Sequence, residues 1–271
     1  MLTILHGSDA HFGNPHRPSV AAGFLELARR VSPDVVVLAG DLTQRAKVRE
    51  FEEAQVYLGE FGPAPVVVTP GNHDIPLYRV HERLFAPFRN YQAFISQELD
   101  TATRVDGAVL VALNSADPYR GLVNGRIEAG QLHFLARIFQ ETSDADVRIV
   151  VIHHALAPPP DGGSDAVLPR NASLLDRFRE LGVDLILSGH LHRGFVTSSS
   201  EVRPDHRDHG DIAIVHSGTA TSNRGRKAEK GENSVNVLKI RAEGIEVMPF
   251  WFQEHVAGFV AREPINIRRS E

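Results

Sequence analysis

The sequence predicts an α/β fold in which a sheet with parallel strands carries crossover helices, and three observations predict it. Short β-branched runs alternate with amphipathic segments through most of the chain. The strand-like runs end repeatedly in Asp, Asn or His. The last third turns to strands with no long helix between them.

The opening runs are Leu2–Gly7, Val35–Leu38 and Val66–Val68, and such continuous apolar stretches suit strands buried on both faces. Between them Val20, Phe24, Leu27 and Val31 are spaced 4, 3, 4, while Val48, Phe51, Ala54, Leu58 and Phe61 are spaced 3, 3, 4, 3. Both are helix periods with one apolar stripe, so the opening reads β-α-β-α-β. Residues 77–99 are helical by pattern, but Pro87 lacks the backbone donor a helix needs, which predicts two short helices. Residues 108–113 form the next strand, 128–139 a helix with Leu132, Leu135 and Phe139 inward, and 147–152 a strand ending at His153-His154. Asn171 is expected to cap a helix carrying Leu174, Phe178 and Leu181, with Gly182 as its stop. Residues 183–187 then lead into Ser188-Gly-His-Leu-His192.

Residues 212–215, 234–240 and 245–252 read as antiparallel edge strands, with Glu243-Gly244 as a hairpin turn. The long segments 155–170 and 196–211 are expected to be functional or mobile loops. No linker, repeat or low-complexity tract divides the chain. One domain over residues 1–271 is therefore expected, with 212–260 as a mainly antiparallel C-terminal portion.

Composition narrows the chemistry. Apolar residues at 42% and charged residues at 23% are the mixture of a soluble globular chain, so a substantial core is expected. The absence of cysteine removes disulfides, thiolate metal sites and thiol nucleophiles together. Any metal must be held by oxygen and nitrogen, and 14 histidines supply the nitrogen. A formal net charge of -5 argues against a nucleic-acid polymer as partner, because phosphate contacts want a basic face. No apolar run approaches the roughly 20 residues of a membrane span. The N-terminal stretch has no basic leader, which predicts a cytoplasmic address.

Five strand ends finish in metal-ligand residue types: Asp9 with His11, Asp41, Asn72 with His73, His153, and His190 with His192. Parallel strands bring their carboxyl ends to one edge, so residues far apart in sequence can converge there. Each fragment alone is common; their order, each behind a strand, is the signal.

Asp9-Ala-His11, Gly40-Asp41, Gly71-Asn-His-Asp74, His153 and Gly189-His-Leu-His192 together resemble the signature of the calcineurin-like metallophosphoesterase family, over residues 2 to about 220. Within that family the chain looks most like the bacterial branch of class III cyclic-nucleotide phosphodiesterases and glycerophosphodiesterases. The resemblance implies a four-layer α/β/β/α sandwich of two mixed sheets with a dinuclear metal site on their upper edge. It implies Asp9, His11 and His192 on one metal, Asn72, His153 and His190 on the second, and Asp41 bridging them. Two cations roughly 3.5 to 4 Å apart polarise a phosphoryl oxygen and lower the pKa of bound water. The implied reaction is in-line attack of a metal-bound hydroxide on a small phosphodiester such as a cyclic nucleotide. Ligation by imidazole, carboxylate and amide suits manganese or an iron–manganese pair, with zinc open.

In the same resemblance His73 faces the phosphate, stabilising it or protonating the leaving alkoxide. The stretch Gly40-Asp-Leu-Thr-Gln-Arg-Ala46 departs from the GDxxDRG of the Ser/Thr protein phosphatases. Gln44 stands where those enzymes carry an Asp that supports the catalytic histidine, which leaves Asp74 as the expected partner of His73. Substrate contacts are expected from Asn72, His154, Asn14 and Arg224. His153 is preferred to His154 as the ligand because it directly follows its strand. His6 reads as a core histidine. The aromatic series Tyr78, Phe85, Phe88, Tyr91 and Phe94 reads as core in preference to a substrate lid, and Phe250-Trp-Phe252 as either a homodimer edge or a covered strand.

Two alternatives stay within the enzyme class, a phosphomonoesterase and a lipid-precursor pyrophosphohydrolase. A third, from another class, is a metal-free relative serving as a binding scaffold. It is disfavoured because clustered imidazoles and carboxylates are costly to bury unpaired.

Overall fold

The structure is a computed structural model that describes residues 1–119, 124–160, 167–202 and 211–268. Thirteen strands are described: β1 (Leu2–Gly7), β2 (Val35–Leu38), β3 (Val66–Val68), β4 (Thr101–Val105), β5 (Ala108–Ala112), β6 (Val147–Val151), β7 (Leu185–Ser188), β8 (Phe195–Ser198), β9 (Ala213–His216), β10 (Ser234–Arg241), β11 (Gly244–Gln253), β12 (Gly258–Ala261) and β13 (Ile265–Arg268). The helices are α1 (Pro18–Val31), α2 (Val48–Gly59), α3 (Val80–Phe85), α4 (Arg89–Phe94), α5 (Ala129–Gln140), α6 (Asn171–Glu180) and α7 (Ser199–Val202).

The strands form two mixed sheets. One has the order β12-β11-β10-β1-β2-β3, with β13 also paired to β11; the other has the order β4-β5-β6-β7-β9-β8. Alternation along each strand makes the layers. Ile4, Val35, Val37, Leu110, Ile149, Leu185 and Val215 point into a core between the two sheets. Leu5, Val36 and Leu38 point outward from the first sheet onto α1 and α2, meeting Val20, Phe24, Leu27, Phe51 and Ala54. Val111, Val150, Ile186 and Ile214 do the same from the second sheet toward α5 and α6. The resulting order is helix, sheet, sheet, helix. Phe24 is fully buried, so Phe24→Ala would cost about 3 to 5 kcal/mol through lost transfer energy and the cavity left behind.

Strands β1, β2 and β3 run parallel, as do β5, β6, β7 and β9. Every chemistry-bearing stretch singled out above follows the carboxyl end of one of these strands, which brings them to one edge.

Several expectations need correction. Residues 101–105 form an edge strand with two of its five residues exposed, and the first part of the expected loop 196–211 is β8 and α7; residues 203–210 lie outside the described residues, as do 161–166 of the other expected loop. Asn171 is the first residue of α6 rather than its cap. Arg170 holds the cap position in a left-handed conformation, and Asn171 Nδ2 instead donates to the Leu156 carbonyl at 2.9 Å. Phe250-Trp-Phe252 is covered on both sides, because β11 pairs with β10 and with β12, where Phe252 stands opposite Phe259. Tyr91 is core and Phe94 packs on the same cluster, whereas Tyr78 and Phe85 are exposed. Among the described residues no helix is long and apolar enough to cross a membrane.

Candidate metal centre

Backbone bonds draw the strand-end loops together within each sheet, and the bond from Ala220 to Ser8 ties one sheet to the other. Asp9 N–H donates to Gly40 O at 3.1 Å, His11 N–H to Asp41 O at 2.9 Å, Gly189 N–H to His153 O at 3.1 Å and Ala220 N–H to Ser8 O at 2.8 Å. Such tight crossings leave little room at two glycines. A Cβ on Gly40, whose φ is +82°, would lie 2.6 Å from His153 Nδ1, and one on Gly71 would run into the Asp41 carboxylate. Asp9, His11, Asp41, His190 and His192 all hold positive φ, between 47° and 71°, in the left-handed region that side chains seldom occupy. Strain of this kind costs about 1 to 3 kcal/mol per residue and persists where surrounding structure imposes it.

The side chains converge as two groups. In the first, His11 Nε2 lies 3.5 Å from Asp9 Oδ1 and 3.7 Å from Asp41 Oδ2, and His192 Nε2 lies 3.4 Å from Asp9 Oδ1. The donor atoms of Asp9, His11, Asp41 and His192 all lie within 4.8 Å of one another, in a cluster that could hold a metal ion. In the second, His190 Nδ1 lies 3.0 Å from Asn72 Oδ1 and 3.3 Å from His153 Nε2, which is 3.2 Å from Asn72 Oδ1 and 3.4 Å from Asp41 Oδ1.

The donor set fits a cation. Asp9 Oδ2 is satisfied by Ser8 Oγ–H at 2.6 Å and His190 N–H at 2.9 Å, but buried Asp9 Oδ1 has no hydrogen-bond partner. Asp41 Oδ2 and both ring nitrogens of His11 are likewise buried without one. Unpaired buried polar atoms of this kind are costly unless something neutralises them. Donor atoms 3.4 to 3.7 Å apart in the closest pairs of the first group are near enough for one cation to be shared between them.

Ring orientation is set from behind, as is usual for ligand histidines. His153 Nδ1 donates to the Ala39 carbonyl at 2.7 Å, which turns Nε2 toward Asn72 and Asp41, and His192 Nδ1 lies 3.1 Å from Thr219 Oγ1. Burial opposes charge on both aspartates, yet the histidines around them outweigh it and hold both carboxyls below their ordinary range. Burial lowers His190 to about 4 and His192 to about 3. His153 also pays for burial, but the Asp41 carboxylate beside it pushes it up to about 9. Asp9 and Asp41 are thus ionised and His190 and His192 neutral, and a cation would displace the proton on His153.

His73 stands edge-on to His11, with ring centroids 4.8 Å apart. Its Nδ1 donates to the Gln44 carbonyl at 2.9 Å, and Arg224 Nη1 lies 3.0 Å from its Nε2 and 3.0 Å from Gln44 Oε1. The expected support of His73 by Asp74 is therefore met instead by Gln44. Asp74 is buried and committed elsewhere: its oxygens accept from Leu42 N–H, Gly71 N–H, Thr43 N–H and Thr43 Oγ–H, which fastens residues 42–43 to 71–74. His154 is 1% exposed and placed away from solvent, with Nδ1 2.8 Å from Ser115 Oγ. Its Nε2 is buried without a hydrogen-bond partner, and its ring centroid lies 4.5 Å from that of His190. Asn14 is exposed and lines a cavity together with Arg224. His6 is buried in β1, as a core histidine would be, but neither ring nitrogen has the hydrogen-bond partner that a satisfied one needs.

Gln44 had looked like a departure from a pattern, with nothing to show what it touches. Thr219 and Ser8 gave no signal beyond lying in polar stretches that follow strands.

Comparison with known proteins agrees with this geometry. A relative from Synechococcus sp., named "Probable cyclic nucleotide phosphodiesterase", is 30% identical over 184 residues, covering 66% of this chain and 65% of that protein, just under two thirds of its length. Among solved structures, a purple acid phosphatase from yellow lupin (Lupinus luteus) superposes with a TM-score of 0.71 at 12% identity, covering 99% of this chain and 54% of that one. A dimetal phosphatase from Danio rerio superposes with a TM-score of 0.66 at 11% identity, covering 99% of both chains. These likenesses show the fold. The sequence pattern described as calcineurin-like phosphoesterase matches residues 2–194, the span that holds β1 to β7 and both histidines of the Gly189-His-Leu-His192 stretch, and so the chain belongs to the calcineurin-like phosphoesterase family.

Proposed function

We propose that the chain is a dinuclear-metal phosphodiesterase acting on a small phosphodiester of the cyclic-nucleotide kind. The observation that carries this reading is the position of Asp41, whose Oδ2 faces the His11 group and whose Oδ1 faces the His153 group. Asp9, His11 and His192 would hold one cation, Asn72, His153 and His190 the other, and Asp41 both. When bound, such a pair supplies Lewis acidity to phosphoryl oxygens and to water. Manganese or an iron–manganese pair suits these donors, and zinc is accommodated by the same set.

The protein's own part follows from charge and orientation. Among the described residues two carboxylates, Asp9 and Asp41, face the centre, and Asn72 contributes a neutral oxygen, so the loaded site stays cationic and attracts an anionic ester. Arg224, held by Gln44 beside His73, presents a guanidinium suited to phosphoryl oxygens. His73 keeps its proton on Nδ1 against the Gln44 carbonyl, and burial lowers its pKa, so its Nε2 edge faces the pocket as an acceptor. Once Arg224, now 3.0 Å from that nitrogen, has turned to the phosphoryl oxygens, Nε2 can take the proton that the attacking water gives up and pass it to the leaving oxygen. The named activity of the Synechococcus relative supports a diester substrate.

The test is hydrolysis of bis(p-nitrophenyl) phosphate and p-nitrophenyl phosphate by manganese-reconstituted protein, followed by cyclic nucleotides and glycerophosphodiesters. Turnover of the diester is expected. Turnover of the monoester alone would replace this reading with a phosphomonoesterase, and purified protein that takes up no metal and turns over neither ester would restore the metal-free scaffold.

A further inference from the structure

Beside the candidate centre lies a cavity of about 420 Å³ whose walls include Asn14, Gln44, Arg45, Lys47, Asn223 and Arg224. Gln44 and Arg224 are shared walls, since both contact His73, so the cavity begins where the phosphoryl site ends. Three of these six residues are cations. The carboxylate that also lines it, Glu50, is already engaged: Oε2 accepts from the N–H groups of Arg45 at 2.7 Å and Lys47 at 3.3 Å, and Oε1 lies 3.8 Å from Lys47 Nζ. Arg79, paired through Nε with Glu82 Oε1 at 2.9 Å, braces this backbone from behind, donating to the Arg45 carbonyl at 3.2 Å and to the Ala46 carbonyl at 2.8 Å. The Arg45 guanidinium is steadied over the Tyr78 ring, 5.1 Å from its centroid.

This concentration of positive charge stands in a chain whose formal net charge is -5. A simple diester carries one negative charge, which the centre and Arg224 meet; Arg45 and Lys47 lie beyond it. An arginine fork and a lysine ammonium are suited to phosphate, and the Asn14 and Asn223 amides can donate to its remaining oxygens.

We infer that this cavity receives a second phosphoryl group carried on one ester arm of the substrate, so that the preferred diester is a phosphorylated one. The inference rests on the diesterase reading for the identity of the molecule, whereas the cavity's anion preference can be measured without turnover. Calorimetric titration of the manganese-loaded protein with thymidine 3′,5′-bisphosphate and with thymidine 5′-monophosphate provides that measurement. The bisphosphate should bind about tenfold more tightly, and in the double variant Arg45→Gln, Lys47→Gln the two ligands should come within about threefold of each other. Lys47→Gln alone, at a side chain 64% exposed and so safe for folding, should remove part of the advantage. Equal affinities in the unaltered protein, an advantage that survives the double substitution, or no binding of either ligand would overturn the assignment. Hydrolysis of the p-nitrophenyl ester of the bisphosphate separates the two readings. Its absence beside an intact binding advantage would count against the diesterase and leave the cavity's role standing.

Discussion

Asp41 Oδ1 lies 3.4 Å from His153 Nε2, on a ring whose other nitrogen is fixed by the Ala39 carbonyl. The second oxygen of the same carboxylate faces His11. Asp41→Asn replaces one of those oxygens by an amide nitrogen that cannot ligate, so both metal positions should weaken together. Metal analysis of purified variant should fall from about two ions per chain to below one, with kcat down at least about 100-fold. Full metal content at an unchanged rate would remove Asp41 from its shared position.

Arg224 and Gln44 form a coupled pair against His73. Arg224→Gln should lower kcat/KM for a diester about 10- to 100-fold while leaving metal content intact. Gln44→Ala keeps the backbone carbonyl that orients His73 and removes only the anchor of Arg224, so its loss should be smaller, about 3- to 10-fold. The double variant should be no worse than Arg224→Gln, which corresponds to a coupling of about 1 kcal/mol in the cycle. Strictly additive losses would show that Gln44 acts apart from Arg224.

Asp74 accepts from four donors, two on each oxygen. Asn in its place can accept at only one of those positions and leaves buried N–H groups unpaired. Asp74→Asn should cost about 2 to 4 kcal/mol in denaturant unfolding. A midpoint within experimental error of the unaltered protein would mean that the two loops do not depend on this carboxylate.

His6 and His216 give a pH dependence distinct from that of the centre. Burial lowers His6 to about 3, with the Ser188 backbone pulling the other way, and burial together with His6 lowers His216 to about 3. Both folded values lie below the unfolded value of 6.5, so the unfolded chain takes up protons that the folded one refuses as pH falls. Stability from these groups is complete above pH 6.5 and is lost progressively toward pH 3. The pair should contribute a loss of about 2 kcal/mol between pH 6.5 and 5.5. Urea unfolding in the presence of a chelator should show that loss, with about half of it removed in His6→Gln. An identical pH dependence in the variant would count against a neutral His6 in the folded state.

The layers and the convergence of the candidate donor side chains are legible because each donor closely follows a strongly apolar strand, where only the strand direction is needed to predict that they meet. Elements that depend on pairing were not. Residues 101–105 alternate weakly and form a strand because β5 offers an edge, and β12 forms because β11 does. Arg170 rather than Asn171 caps α6, because the Asn171 amide is taken by a tertiary bond to the Leu156 carbonyl that local preference cannot foresee. Gln44 works partly through its backbone carbonyl, a group every residue has, so no residue type could signal it.

The left-handed backbone at Asp9, His11, Asp41, His190 and His192 sets chemistry and robustness against each other residue by residue. Glycine at any of these positions would relax the chain and delete a donor in the same step. A selection for heat-hardy variants run without an activity screen should therefore enrich glycine at these five sites and return proteins that are sturdier and inert.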